Sequence, residues 1–321
     1  MSPSSDVTDL VGRAREGQPR AIARLISLVE DASPQLRDVA AALAPFTGRA
    51  RVVGLTGPPG VGKSTSTSAL VTSLRKQGKR VGVLAIDPSS PFSGGALLGD
   101  RIRMQEHATD PDVFIRSMAT RGHLGGLSWA TPQALRVLDA AGFDVVLVET
   151  VGVGQSEVDV VSLADTTVVL LAPGMGDGIQ AAKAGILEIA DVFVVNKADR
   201  DGAEATVRDL KNMVAMARRG IGGPSWRQPI VRTTASKMEG IGDVADALDG
   251  HHRWLVEHGA LERRRFNRAR AELEAIALES VRASFAGRGH DVLEDLAKRV
   301  AAGDMDPYTA ADELVAGTTR G

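Results

Sequence analysis

Apolar residues in the first 46 positions recur at helical spacing. DVTDLVGRAREG, PRAIARLISLVED and PQLRDVAAALAPF are separated by the breakers GQP and ASP, which predicts a short helical preamble over 5–46. From about 50 to 250 the pattern changes to short apolar runs alternating with helical stretches. The runs are RVVGLT, VGVLAI, VFIRSM, DVVLVET, TVVLLAP, DVFVVN and PIVRTT. Most are continuously apolar, as strands covered on both faces should be. Strands alternating with helices predict an α/β fold with a doubly wound, mostly parallel sheet. From Val244 onward the spacing is helical: LERRRFNRARAELEAIALESVRASF is long and amphipathic, followed by shorter segments around DVLEDLAKRVAAG and PYTAADELVAG. The expected organisation is an N-terminal helical extension over 1–48, a central α/β domain over 49–250 and a C-terminal helical segment over 251–321. No internal repeat or low-complexity tract is visible.

Composition narrows the function classes. The 321 residues are 43% hydrophobic, enough for a full core, and 38 Lys and Arg stand against 40 Asp and Glu. A net charge of -2 supplies no global field for nucleic acid or an anionic membrane. The absence of cysteine excludes disulfides, thiolate metal sites and cysteine nucleophiles. The N-terminus MSPSSDVTDLVGRAREG has no apolar signal-peptide core, and no run is long enough to span a bilayer, so a cytoplasmic location is expected.

The strongest chemical signal is GLTGPPGVGKSTSTSALVTSL. Gly57, Gly62, Lys63 and Ser64 fit G-x-x-x-x-G-K-[ST] between an apolar strand and an amphipathic helix, with Pro58, Pro59, Gly60 and Val61 inside the loop and Thr65 after it. Glycines let backbone wrap close to phosphate oxygens. The helix N-terminus points at the anion, Lys63 reaches the β- and γ-phosphates, and the Ser64 hydroxyl ligates Mg²⁺. In VFVVNKADRDG, Asn196, Lys197 and Asp199 form N-K-x-D at a strand end. The Asp carboxylate accepts two hydrogen bonds from guanine N1 and N2, a pair adenine does not offer, so GTP is the expected nucleotide. Ala235, Ser236 and Lys237 in TTASKMEGI stand where GTPases carry a loop facing the guanine oxygen.

The metal shell should lie between these anchors. Asp87 ends a strand and Asp100 follows a Gly/Ser-rich loop; either can hold Mg²⁺ directly or through its waters, while the plain alternatives are a turn cap and an exposed loop charge. In VVLVETVGVGQSE, Glu149 and Gly152 occupy the D-x-x-G position with a glutamate where aspartate is usual. The longer side chain suits water-mediated work beside the ion. Val153 replaces the glutamine that aligns the attacking water in many small GTPases, which predicts slow unaided hydrolysis. Lys63, Glu149 and Gln155 are the candidate catalytic residues of these motifs.

The phosphate loop, AIDPSSPFSGGALLGDR, VVLVETVGVGQSE, LLAPGMGDGIQAAKAGILEIADVFVVNKAD and the helical ends together resemble the MeaB-type methylmalonyl-CoA mutase-associated GTPases, over nearly the whole chain. That group includes the animal MMAA proteins and once carried the ArgK or LAO/AO transport kinase label. The resemblance implies a G-protein chaperone of an adenosylcobalamin-dependent mutase that binds GTP and GDP with Mg²⁺, gates cofactor loading and protects the enzyme. Residue by residue it implies Lys63 and Ser64 for phosphate and Mg²⁺, Asp87, Asp100 and Glu149 for the metal shell, and Asn196 and Asp199 for guanine. Asp177, Gln180 and Lys183 in PGMGDGIQAAKAG would form a third switch.

Other classes fit less well. A nickel-insertion metallochaperone would need a Cys/His cluster, whereas the six histidines are scattered; the adjacent His251 and His252 read as surface helix residues. A transport-system kinase would share the phosphate loop, but N-K-x-D favours GTP over ATP. The basic RRRFNRAR is flanked by Glu262, Glu272, Glu274 and Glu279, which reads as a solvated or subunit-facing helix rather than a nucleic-acid or membrane module. Long C-terminal helices need a partner surface, so a homodimer is expected.

Overall fold

Each of the seven apolar runs forms a strand: β1 (Arg51–Thr56), β2 (Val81–Asp87), β3 (Val113–Ala119), β4 (Val145–Thr150), β5 (Thr166–Leu171), β6 (Val192–Val195) and β7 (Ile230–Arg232). The computed structural model describes residues 3–87, 104–119, 130–150, 162–174, 189–217, 225–286 and 290–319. The strands make one sheet in the order β3-β2-β4-β1-β5-β6-β7, and every pairing is parallel. The chain moves outward from β1 in both directions, so the carboxyl ends of β1 and β4 flank the point where the winding reverses, the place where such sheets bind ligands.

Side-chain alternation divides the strands between two faces. Val53, Leu55, Val83, Leu147 and Leu170 face α4 (Lys63–Lys76) and α7 (Ile241–Glu257). On the other face, Val52, Leu84, Ile86, Met118, Val146 and Val148 share a core with α1 (Pro3–Arg15), α2 (Pro19–Glu30), α3 (Leu36–Leu43) and α5 (Ala130–Ala140). Farther along that face Val169, Leu171, Phe193 and Val195 pack on α6 (Ala203–Ala217). Both faces are covered, which is why the strands read as unbroken apolar runs.

Two compact units are present, Met1–Glu262 and Arg263–Gly321. In the first, the N-terminal helices are built into the back of the sheet. Leu25, Ile26 and Val29 are fully buried, Arg116 of β3 pairs with Glu30 of α2 at 2.6 Å, and the Asp139 carboxylate of α5 receives the backbone N–H groups of Arg49 and Ala50 at 3.1 and 2.8 Å.

His251 corrects the expectation of a surface histidine pair. It is 0% exposed, and its Nδ1 lies 2.8 Å from Thr166 Oγ1 while its ring packs 4.9 Å from that of Trp226. The cause lies in the register of α7, whose buried positions Val244, Leu248, His251 and Leu255 fall at helical spacing on one stripe. His252, one residue on, is half-buried.

The second unit holds the rest of α8 (Ala260–Ala286), α9 (His290–Ala302) and α10 (Pro307–Thr319). Asp306 caps α10, its Oδ1 receiving the N–H groups of Tyr308 and Thr309 at 2.9 and 3.1 Å, with Pro307 at the first helical position. Phe266, Leu273, Ile276, Leu278 and Val281 of α8 are exposed. No helix among the described residues is long and apolar enough to cross a membrane.

Candidate nucleotide and metal site

The carboxyl edge of the sheet gathers the motif residues. Gly57 leaves β1 with φ +142, and a Cβ there would stand 2.2 Å from the Leu170 carbonyl oxygen of β5; Gly62 ends the loop at φ +93, where a Cβ would stand 2.5 Å from Asn196 Nδ2. Only glycine allows this closure. Lys63 is the first residue of α4, and its buried ammonium folds back onto the loop, donating to the Gly57 carbonyl and to the Pro58 carbonyl at 3.1 Å. The first amides of α4 have no partner within the helix, so the loop presents a cation and a helix N-terminus to one small volume, an arrangement that binds phosphate. Thr65, next along α4, is exposed.

Glu149 is 1% exposed near the end of β4, in register with Leu55 of β1 and Ala85 of β2. Its carboxylate accepts the Ser64 hydroxyl directly. The extra methylene carries the carboxylate from the central sheet to the first turn of α4. The donor set suits a small hard cation: hydroxyl and carboxylate oxygens stand together, and Mg²⁺ takes one or two such groups with phosphate oxygens and water. Among the described residues no three His, Asp or Glu side chains gather to hold an ion by themselves. Asp87 ends β2 at the same edge, paired in register with Ala119, and only its backbone is described. Asp100, Gly152, Gln155, Asp177, Gln180 and Lys183 lie outside the described residues.

At the N-K-x-D turn, Asn196 is 3% exposed and spends its amide on the scaffold. Nδ2 donates to the Val61 carbonyl at 2.8 Å, and Oδ1 accepts the Ala235 N–H at 3.0 Å and the Thr233 hydroxyl at 3.1 Å. It joins phosphate loop, β7 exit and the turn Ala235–Lys237. Lys197, at φ +57, extends to the Gly60 carbonyl at 2.6 Å. Asp199 Oδ2 accepts Lys237 Nζ at 3.1 Å, and that hydrogen bond and charge hold the Asp199 carboxyl below its ordinary range and raise Lys237. Ser236 is exposed beside it. The structure therefore brings Lys63, Ser64 and Glu149 together at one end and Lys197, Asp199 and Lys237 at the other, with Asn196 between. Thr233 is a member that motif reading misses, because a lone threonine after a strand has no signature.

Comparison with known proteins places these features in context. The profile of a family described as methylmalonyl Co-A mutase-associated GTPase MeaB matches residues 22–289. A Pyrococcus abyssi protein named as a GTPase by inference is 49% identical over 96% of both chains. The mouse methylmalonic aciduria type A homolog is 34% identical over 94% of this chain and 76% of its own. A crystal structure of an LAO/AO transport system kinase superposes with a TM-score of 0.70 at 27% identity, covering 98% of both chains.

Proposed function

Because the chain belongs to the MeaB family of methylmalonyl-CoA mutase-associated GTPases, we propose that it serves an adenosylcobalamin-dependent mutase as a Mg²⁺-dependent chaperone that gates cofactor loading and protects the enzyme. It is a P-loop GTP hydrolase. Within the proposal, Lys63 holds the β- and γ-phosphates, Ser64 and Glu149 hold Mg²⁺ directly or through water, and Asp199 reads guanine N1 and N2. Bound Mg²⁺ supplies neutralisation of charge on the phosphate oxygens. Asp87 and Asp100 complete the metal side, and Gly152 senses the γ-phosphate. Gln155, Asp177, Gln180 and Lys183 carry the nucleotide state to the client.

The observation that carries this reading is the hydrogen bond from Ser64 to Glu149. It puts the glutamate that distinguishes the motif on the hydroxyl expected to meet the ion. The same contact gives the nucleotide state a handle: a cation held by Ser64 must share or displace Glu149, and Glu149 leads straight into the stretch 150–157. Val153 in that stretch supports slow turnover alone, with the mutase supplying or ordering the missing group. The exposed Phe266, Leu273 and Ile276 support a homodimer through α8. The absence of cysteine supports a cytoplasmic setting, and the balanced charge supports a client that is neither nucleic acid nor membrane. The test is GTP hydrolysis in Mg²⁺ and in EDTA, alone and with purified mutase. Slow Mg²⁺-dependent turnover that rises with mutase is expected; turnover indifferent to the mutase would remove the chaperone assignment.

A further inference from the structure

Thr233 follows β7 directly and is 1% exposed. All three of its polar groups are spent on one short stretch of chain, the end of β6 and the N-K-x-D turn after it. Its N–H donates to the Val195 carbonyl at 2.9 Å, its hydroxyl donates to Asn196 Oδ1 at 3.1 Å, and its carbonyl accepts the Ala198 N–H at 3.0 Å. Thr233 therefore grips residues 195, 196 and 198 and passes over Lys197.

Lys197 is the residue of this stretch that needs holding. It stands at φ +57, a left-handed conformation that a residue with a side chain adopts at a cost, so neighbouring contacts must impose it. Thr233 supplies such a contact on each side, through its hydroxyl before the bend and its carbonyl after it. Asp199 leaves the turn one residue beyond Ala198, so the direction of its carboxylate depends on that bend. The far side of Asp199 is set from the same place. Its Oδ2 accepts Lys237 Nζ at 3.1 Å, and the Lys237 N–H donates to the carbonyl of Thr234 at 2.8 Å.

The part played by the hydroxyl is separable from the backbone. The Val61 carbonyl can only accept, so Asn196 Nδ2 faces it, and Oδ1 faces two donors, the Thr233 hydroxyl and the Ala235 N–H. Without the hydroxyl, Oδ1 keeps the Ala235 N–H, and both backbone bonds of Thr233 remain. No buried acceptor is orphaned; what goes is one of the two restraints that bracket Lys197.

We infer that Thr233 is a positioning residue for base selection: by bracketing the left-handed Lys197 it aims the Asp199 carboxylate. The inference rests on the reading of Asp199 as the group that meets guanine N1 and N2. Inosine diphosphate shares the sugar, the phosphates and the N1–H of GDP but lacks the N2 amino group. The ratio of GDP to inosine diphosphate affinity therefore reports how well Asp199 is aimed, whereas a general loosening of the fold weakens both nucleotides alike.

Titration calorimetry with the two nucleotides in Mg²⁺ reads that ratio for the wild type, Thr233→Val, Thr233→Ala and Thr233→Ser. Thr233→Val keeps the branched shape, Thr233→Ala removes the hydroxyl without adding a second methyl group, and Thr233→Ser keeps the hydroxyl as the conservative rescue. The ratio should shrink roughly three- to tenfold in Thr233→Val and Thr233→Ala, the equivalent of about one neutral hydrogen bond, and Thr233→Ser should stay within about twofold of the wild type. An unchanged ratio in the first two variants, equal loss of both nucleotides, or a Thr233→Ser protein no better than Thr233→Val overturns the inference. A wild type that binds the two nucleotides equally overturns the base reading of Asp199 itself, and the role of Thr233 with it.

Discussion

Asn196 donates from Nδ2 to the Val61 carbonyl at 2.8 Å across 135 residues of chain. The residue that the N-K-x-D pattern assigns to the base thus fastens the N-K-x-D turn to the loop between β1 and α4. Removing it leaves the Ala235 N–H and the Val61 carbonyl without that partner in a buried setting. Asn196→Ala should therefore lower stability by about 2–3 kcal/mol and weaken GTP and GDP alike. Denaturant unfolding and nucleotide titration check this; loss of affinity with unchanged stability would mean that Asn196 acts on the base alone.

Gly62 meets the same amide from the other side. A methyl group there would stand 2.5 Å from Asn196 Nδ2 on backbone at φ +93, so Gly62→Ala combines backbone strain with displacement of Asn196. A loss of about 1–3 kcal/mol is expected, with nucleotide binding falling by more than the stability change implies. Gly60, at φ +80 with nothing within 4 Å, is the control: Gly60→Ala should show the strain and little more.

Asp199 should decide the base. Asp199→Asn exchanges an acceptor for a donor, which should weaken GTP and improve xanthosine triphosphate; unchanged GTP affinity in direct titration would remove Asp199 from the base site.

The Lys237 contact adds a pH dependence. It lowers the folded-state pKa of Asp199, so the pair's contribution is present above the unfolded value of about 3.9 and is lost as pH falls through the lower folded value. GTP affinity should stay flat on mild acidification. In Lys237→Met the carboxyl returns toward its ordinary range, and the acid loss of GTP binding should begin at higher pH. Coincident acid limbs in the two proteins would separate Lys237 from base reading.

The segment Pro173–Gly185 supplies a prediction from its residues alone. Replacing Asp177, Gln180 and Lys183 with alanine should leave GTP and GDP affinity nearly unchanged while removing mutase-stimulated hydrolysis. Calorimetry beside a hydrolysis assay with and without mutase distinguishes a switch from part of the pocket.

Periodicity and motif spacing determined a good deal of this protein. Seven apolar runs became seven strands, because burial on both faces leaves a local mark that pairing partners do not alter. The phosphate loop and N-K-x-D were legible for the same reason: their chemistry needs fixed residue types a few positions apart. His251 shows a local signal left unread, since Val244, Leu248 and Leu255 mark its stripe as buried.

Tertiary structure alone decided the rest. No local pattern orders the strands β3-β2-β4-β1-β5-β6-β7 or sets the N-terminal helices against the back of the sheet. Nor could spacing show that Glu149 touches Ser64 across 85 residues, or that Asn196 bonds to scaffold. Those contacts depend on side-chain direction and strand register, which emerge only when distant segments pack. A hydrogen bond needs its donor and acceptor placed to within a few tenths of an ångström, and only the assembled core holds them so closely.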